Sequence, residues 1–484
     1  MKNIFRLGWM IFLTAFLMLF FTSCTKAREG SVGDIGGNQE TTGGTSDTSG
    51  GGSVGISCSA GSGVVVGKCG ADIVKEAGLG YGAGAPAKGA SYSDPDFSTT
   101  IRRITNKSAD GYSGFGIENE YARSDPENSD GTYIILRGNG GQWYLYNTAA
   151  FQLVKQLTIE GGGEEPEPRW DSADPKTFYY LYGTQLRSCN VETYDATVVC
   201  DFKNAFSGAS YITTKTEGDA SLDRRYWCFM VENDNQGLMS VATYDKANNS
   251  ILAQKSSFPD GINWVSMDMS GKHCAVGYED DNNDGYTPPL DVFSVTNFSK
   301  TATLPEGSTG HMDLALDANG KDVMVFQNNA TDWISMADLL TGAETQLVKI
   351  PFSVDPPAIT VHNIDIGLHF SGNCAQKPGW VLVSTYGSKN PPTGAEDSAC
   401  VAPNPCAHTW MDNRLFLVEL KANPTIKMIA NTKAYTSLNY TGDKNYFAEA
   451  FAAINTKGTK IYFGSNWSDF TNSEYSDAYV VTVP

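Results

Sequence analysis

His311 and Asp313 stand one residue apart in "GHMDLAL", and His362 and Asp365 recur further along in "VHNIDIG". An imidazole can take a proton near neutral pH, and a neighbouring carboxylate can orient it. Arg169, in "EPRW", supplies a permanent cation. A proton beside a sugar carboxylate becomes acidic only once that carboxylate is neutralised. Arg169, His311 and His362 are therefore the candidate catalytic set of a uronate-type polysaccharide lyase. The same histidines with nearby carboxylates would also suit a divalent metal. The structural alternative is that these groups bond to backbone and to channel water. Tyr121, Arg123, Trp170, Asn263, Trp264, Asp313 and Glu449 fall at equivalent places in the pattern described below and are candidate ligand contacts. Glu120, Glu217, Asp219, His369 and Phe451 lie beside them. The indoles suit stacking on sugar faces, although a Trp packed inside a core is the commoner case.

A second cluster is "DDNNDGYTPPLD", residues 280 to 291. Asp280, Asn282 and Asp284, with Gly285 for the sharp turn and Asp291 at the twelfth position, match the spacing of a calcium loop. The usual last ligand is Glu; Asp291 is shorter, and the reading against calcium is a solvated Asn/Asp turn. A third is the insert "GSKNPPTGAEDSACVAPNPCAHTWMD", residues 387 to 412, where Cys400 and Cys406 could staple a loop carrying His408 and Trp410.

Positioning such scattered groups requires a regular frame. From residue 92 helical periodicity is nearly absent, and short Val, Ile, Tyr, Phe and Thr runs alternate with Gly, Asn, Asp and Ser turns. A unit recurs: "GTYIILRG" at 131, "KTFYYLYG" at 176, "RRYWCFMVEN" at 224, "GKHCAVGYE" at 271, "GKDVMVFQNN" at 320, "GWVLVSTYG" at 379 and "GTKIYFGSNW" at 458. Each follows a turn, and most precede a third alternating strand. The spacing is mostly in the high forties and lengthens in the last two units. A unit of about four strands cannot bury its faces alone, so seven of them predict an all-β, seven-bladed β-propeller. The last unit ends at its third strand, "DAYVVTVP". The isolated strand "STTIRRIT", residues 98 to 105, is expected to supply the outer strand and so close the ring.

The turns "NSDG" at 128, "DANG" at 317 and "NTKG" at 455 resemble the TolB-type, WD40-like propeller repeat. The segment "NYFAEAFAAINTKGTKIYFGSNW" resembles a bacterial variant in which "AEPH" often stands at the first strand; here it is "AEAF", with Ala450 for Pro and Phe451 for His. Oligogalacturonate lyases are built on similar repeats and use inner-strand histidines for a metal. That site does not carry over through Phe451. The resemblance covers roughly residues 95 to 484 and implies fold more strongly than activity.

The chain opens with Lys2 and Arg6 before an apolar run ending "FTSC", the pattern of an export signal over 1–23 with Cys24 as a lipidation site. By resemblance to lipoprotein sorting, Thr25 after the cysteine implies the outer membrane or cell surface. Residues 24–91 include a Gly/Ser/Thr-rich tether, leaving 92–484 for the propeller. Ten cysteines suit an oxidising compartment, and Cys189 and Cys200, flanking a hairpin-like segment, are the expected bridge. Cys58 with Cys69 is a further candidate pair, and Cys374 competes for Cys400 or Cys406. No paired CxxC motifs point to a thiolate zinc site. The net charge of −19 and the lack of a basic patch argue against nucleic acid. The expectation is a monomer, held to a membrane only by lipid, that binds a glycan or an envelope protein with calcium as a possible cofactor. The alternatives are a polysaccharide lyase and a TolB-like envelope scaffold.

Overall fold

The architecture comes from a computed structural model, which describes residues 57–58, 84–279, 288–305, 310–350, 367–386, 411, 413–434, 443–467 and 476–484. Cys24, Cys69, Asp280, Asn282, Asp284, His362, Asp365, Cys400, Cys406, His408 and Trp410 lie outside them. Among the described residues the structure is all β, apart from 3-10 turns at Phe202–Asn204 and Asp443–Ala448.

The strands form runs of four antiparallel neighbours, called sheets one to seven in chain order. Sheet one comprises Gly116–Glu118, Tyr133–Gly138, Trp143–Asn147 and Leu153–Leu157. Sheet two runs from Arg169–Trp170 to Ala196–Asp201, sheet three from Tyr211–Thr213 to Ser250–Lys255, and sheet four from Ile262–Met267 to Lys300–Thr303. Sheet five runs from Met312–Leu316 to Glu344–Lys349, and sheet six from Gly367–Ser371 to Thr425–Asn431. Sheet seven holds Ala453–Ile454, Lys460–Ser465 and Ser476–Thr482. Its fourth strand is Thr100–Arg103, from the beginning of the chain, which pairs antiparallel with Ser476–Thr482 so that Ile101 faces Val481. A short parallel pairing of Ser476 and Asp477 with Gly116 and Ile117 joins sheet seven to sheet one.

The recurring turn has a local cause. Asn128, Asp268, Asp317 and Asn455 each accept backbone N–H bonds from residues four or five positions on, capping the turn before the second strand. The fourth turn residue takes a left-handed φ, 81° at Gly131 and 64° at Gly458, which only glycine adopts without cost.

Second and third strands are buried on both faces, which explains their continuous apolar runs. Each buried cluster belongs to two consecutive sheets. Ile135, Trp143 and Leu145 of sheet one pack with Trp170, Phe178 and Tyr180 of sheet two. Trp264 and Val292 of sheet four pack with Met312 and Phe326 of sheet five. Ile117, Ile134 and Leu136 of sheet one share a cluster with Tyr462, Ala478 and Val480 of sheet seven.

The disulfide expectation is corrected. Cys189 lies opposite Ala196, and Cys200 opposite Leu186, so the hairpin register keeps the two sulfurs apart and both are free thiols. Among the described residues the bridge is Cys228–Cys274, with Cα atoms 5.9 Å apart, between the second strands of sheets three and four.

Candidate functional site

The inner strands deliver their side chains to a common hub, but not in the grouping read from sequence. Arg169 and His311 do not converge. Arg169 is 3% exposed; its Nη1 donates to Glu120 Oε2 at 2.6 Å and to Pro168 O, and its Nη2 donates to Gly218 O. Its Nε stands 3.7 Å from Asp219 Oδ1. The cation proposed for a substrate carboxylate already holds a protein carboxylate. Arg123 has the same fate: Nη1 lies 2.9 Å from Glu217 Oε2, and Nη2 donates to Gly310 O at 3.4 Å.

Trp170 and Trp264 are likewise corrected. The Trp170 indole is buried against Phe178, and its Nε1 donates to Pro126 O at 2.8 Å. Trp264 is fully buried between sheets four and five, with the Arg123 guanidinium 5.4 Å from its ring. Neither presents a face to a ligand. Asn263, beside it, is only half-buried. Asp313 accepts N–H bonds from Gly372 at 2.7 Å and Leu314 at 2.8 Å, tying sheet five to sheet six. Burial pushes its carboxyl up to about 7. Asp291 begins a strand, and its carboxylate accepts from Tyr278 Oη at 2.8 Å and Thr303 Oγ1 at 2.6 Å. With Lys300 Nζ 3.4 Å away, these contacts lie within sheet four; the other residues of the calcium-loop reading lie outside the described residues. Among the described residues no three His, Cys, Asp or Glu side chains group so as to hold a metal ion.

What the hub does bring together is an imidazole and aromatic cluster. His369, on the inner strand Gly367–Ser371, has its Nε2 2.8 Å from Glu449 Oε2. Its ring lies 5.1 Å from that of His311, 4.9 Å from Tyr386, 4.7 Å from Phe451 and 5.4 Å from Tyr121, centroid to centroid. Tyr386 Oη stands 3.3 Å from His311 Nε2 and also hydrogen-bonds the Glu449 carboxyl. Tyr446 adds a ring 4.8 Å from Phe451. His369, Glu449 and Phe451 are buried, whereas Tyr121, His311, Tyr386 and Tyr446 keep part of their surface open. The floor is closed and the upper layer reaches solvent.

Strand register explains this convergence. Tyr386 ends the second strand of sheet six and pairs with Gly367, which begins the first. A Cβ at residue 367 would come within 2.1 Å of Tyr386 Cζ, so only glycine lets that ring fold over its own sheet. His311 and Glu449 precede the inner strands of sheets five and seven, at the same end. Phe451 has φ 41°, a left-handed conformation that a bulky residue rarely adopts and that concentrates at functional sites.

Burial sets the charge state. Desolvation, reinforced by the nearby Arg123 guanidinium, pushes the His311 imidazole down to about 4. His369 is held well below the usual histidine range by desolvation first, then by His311 and Arg123. Glu449 is raised well above the usual carboxylate range by desolvation and by the neighbouring Glu118. The His369–Glu449 contact is therefore a hydrogen bond between uncharged groups, not an ion pair. The cluster can stack on an apolar face, and it can donate or accept a proton at Tyr386 Oη and His311 Nε2.

Glu118 tests this electrostatic picture. It is buried, accepts a 2.5 Å bond from Ser476 Oγ, and is pushed up to about 8 by desolvation. A carboxyl raised in the fold binds its proton more tightly than in the unfolded chain. Its contribution is thus fully present below the unfolded value and is lost as pH rises toward 8. Glu118→Gln is expected to match the parent at pH 4 and exceed its stability at pH 8, on the order of 1 kcal/mol or more. Urea midpoints at the two pH values read this out.

Of the residues singled out from sequence, the structure gathers Tyr121, Arg123, His311 and Glu449 around one end of the hub. Tyr386 and Tyr446 were not anticipated. The usable signal for Tyr386 was its place as the last residue of a second strand.

No family model matches this chain, and no curated protein matches it. Among solved structures it is similar to an oligogalacturonate lyase from Vibrio parahaemolyticus: 13% identical, covering 82% of this chain and 96% of that chain, with a TM-score of 0.52. It is similar to the same extent to an oligogalacturonate lyase in complex with manganese, at 15% identity, equal coverage and a TM-score of 0.52. At such identities the likeness is one of architecture, and it is that of a β-propeller.

Proposed function

We propose that this chain is an exported, lipid-anchored propeller of seven four-stranded blades, closed by Thr100–Arg103, that binds an extracellular glycan at one end of its hub. The observation that carries the reading is the layer of half-buried rings. Tyr121, His311, Tyr386 and Tyr446 come from four different sheets and meet over the closed floor of His369, Glu449 and Phe451. Rings held rigid by a buried floor offer apolar faces to sugar C–H groups at little entropic cost, and the imidazole and phenol edges supply hydrogen bonds. The seven-blade count and the closure are supported by the recurring four-strand runs and by the cluster shared between sheets seven and one. Calorimetric titration with a panel of oligosaccharides tests the reading. It requires saturable binding to at least one of them, weakened by Tyr386→Ala.

One observation favours lyase chemistry as a second reading. A neutral His311 Nε2 lies 3.3 Å from Tyr386 Oη, and such a pair could take and return a proton at neutral pH. The likeness in fold to oligogalacturonate lyases supports it. The manganese of one of them does not fit the described residues here. His369 Nε2 is engaged by Glu449 and His311 Nε2 faces Tyr386, and no third ligand stands with them. Ultraviolet absorbance of unsaturated uronate products, lost in His311→Ala, would establish this reading; its absence on every uronate polymer would remove it.

A further inference from the structure

We infer that the hub site selects an uncharged sugar and discriminates against a uronate; this rests on the glycan-binding reading above. The argument is one of charge complementarity at a defined place. Arg123 is the cation in contact with the cluster, its guanidinium 5.5 Å from the Tyr121 ring and bonded to the carbonyl beside His311. Recognition of a carboxylate needs a guanidinium fork with open donors. Both terminal nitrogens of this fork are engaged: Nη1 donates to the Glu217 carboxylate at 2.9 Å and to its main-chain carbonyl at 3.1 Å, and Nη2 donates to Gly310 O at 3.4 Å. The second candidate, Arg169, is bonded to Glu120 and two backbone carbonyls beneath the surface. A uronate carboxylate entering over Tyr121 and His311 would lose its water without gaining a free cation among the described residues, and desolvating an unpaired carboxylate is costly.

Arg137, the other cation acting on the cluster through Tyr446 and Glu118, has its Nη2 bonded to Glu165 at 2.8 Å. Glu449 sits beneath His369, Glu118 acts on Glu449, and Asp313 acts on Arg123. Burial raises all three carboxyls toward the uncharged form, so none of them supplies a counter-charge to an anion. What the site offers instead is the outer surface of Tyr121, His311, Tyr386 and Tyr446. Those rings match the C–H face of a neutral hexose, and Tyr386 Oη and His311 Nε2 match its hydroxyls. Discrimination by a missing counter-charge is strong, because the penalty falls on the wrong ligand alone.

The test is calorimetric titration of the full chain at pH 7.5. The probes are cello-, manno- and galacto-oligosaccharides on one side and galacturonate oligosaccharides of equal length on the other. The expected result is binding of at least one neutral series, at least tenfold tighter than the galacturonate series. Glu217→Gln, which removes the carboxylate from Arg123 and keeps its size, is expected to raise galacturonate affinity at least tenfold and to change neutral affinity little. Tighter galacturonate binding by the parent, or its cleavage, overturns the inference while leaving glycan recognition intact. Binding of neither class, with no gain in Glu217→Gln, overturns both. Melting temperatures of parent and variant establish that each is folded.

Discussion

Arg169→Ala is expected to destabilise the chain by about 3–5 kcal/mol, the usual consequence of leaving a buried charge without its partner. The guanidinium is 3% exposed and bonds Glu120, Pro168 O and Gly218 O, so its removal strips three acceptors at once. Glu120 is already pushed up to about 7 by desolvation, against the pull of Arg169. A raised carboxyl stabilises the fold below its unfolded value and loses that contribution as pH climbs to the folded one. Without Arg169 the loss should extend to higher pH. Urea unfolding at pH 6 and pH 8 reads both effects. Adding Glu120→Gln to Arg169→Ala should recover part of the loss, because the stranded charge is then gone. Unchanged stability with lost ligand binding would instead return Arg169 to the role first read from the sequence.

The second large effect concerns the rings. Tyr121→Ala with Tyr386→Ala should lower glycan affinity at least a hundredfold, about 2.7 kcal/mol, since two central anchors leave together. Tyr386→Phe separates stacking from hydrogen bonding. It keeps the ring over Gly367 but gives up Oη, which faces His311 Nε2 at 3.3 Å. A loss of about tenfold is expected from it alone, the worth of one hydrogen bond in a shielded site. Both variants should retain the parent melting profile within a few degrees, because Tyr121 and Tyr386 are only half-buried.

Much of the frame was legible because a repeat announces itself several times. The Asn or Asp at the start of each turn and the Gly at its end have local causes, seen in the capping bonds of Asn128 and Asn455 and the φ of Gly131 and Gly458. The strand 98 to 105 was expected to join the last unit, and Thr100–Arg103 does pair with Ser476–Thr482. The hub was less legible. His362 and Asp365 lie outside the described residues, while His369, also read beside the ring, stands on the described inner strand Gly367–Ser371. Its pairing with Trp380–Tyr386 fixes which of its residues face the hub.

Cysteine pairing failed for a related reason. Cys189 and Cys200 flank one hairpin and invite a local bridge, while Cys228 and Cys274 are 46 residues apart and meet only because second strands of adjacent sheets pack side by side. Trp170 and Trp264 could not be assigned from sequence, since an indole between sheets and one facing a ligand obey the same pattern. The carboxylate partners of the arginines, Glu120 and Glu217, are contributed by other loops and leave no mark in the local sequence.

The most direct measurement is the imidazole NMR spectrum of the five histidines, assigned by single His→Asn variants and titrated with a neutral oligosaccharide at pH 7. His311 and His369 belong to the proposed site, whereas His273 is bonded to Asp268 in a sheet-four turn and serves as an internal control. The expected result is that the His311 and His369 resonances move together and saturate while His273 stays fixed. Ligand-dependent shifts confined to His273, or confined to neither member of the hub pair while binding is measurable, would contradict it.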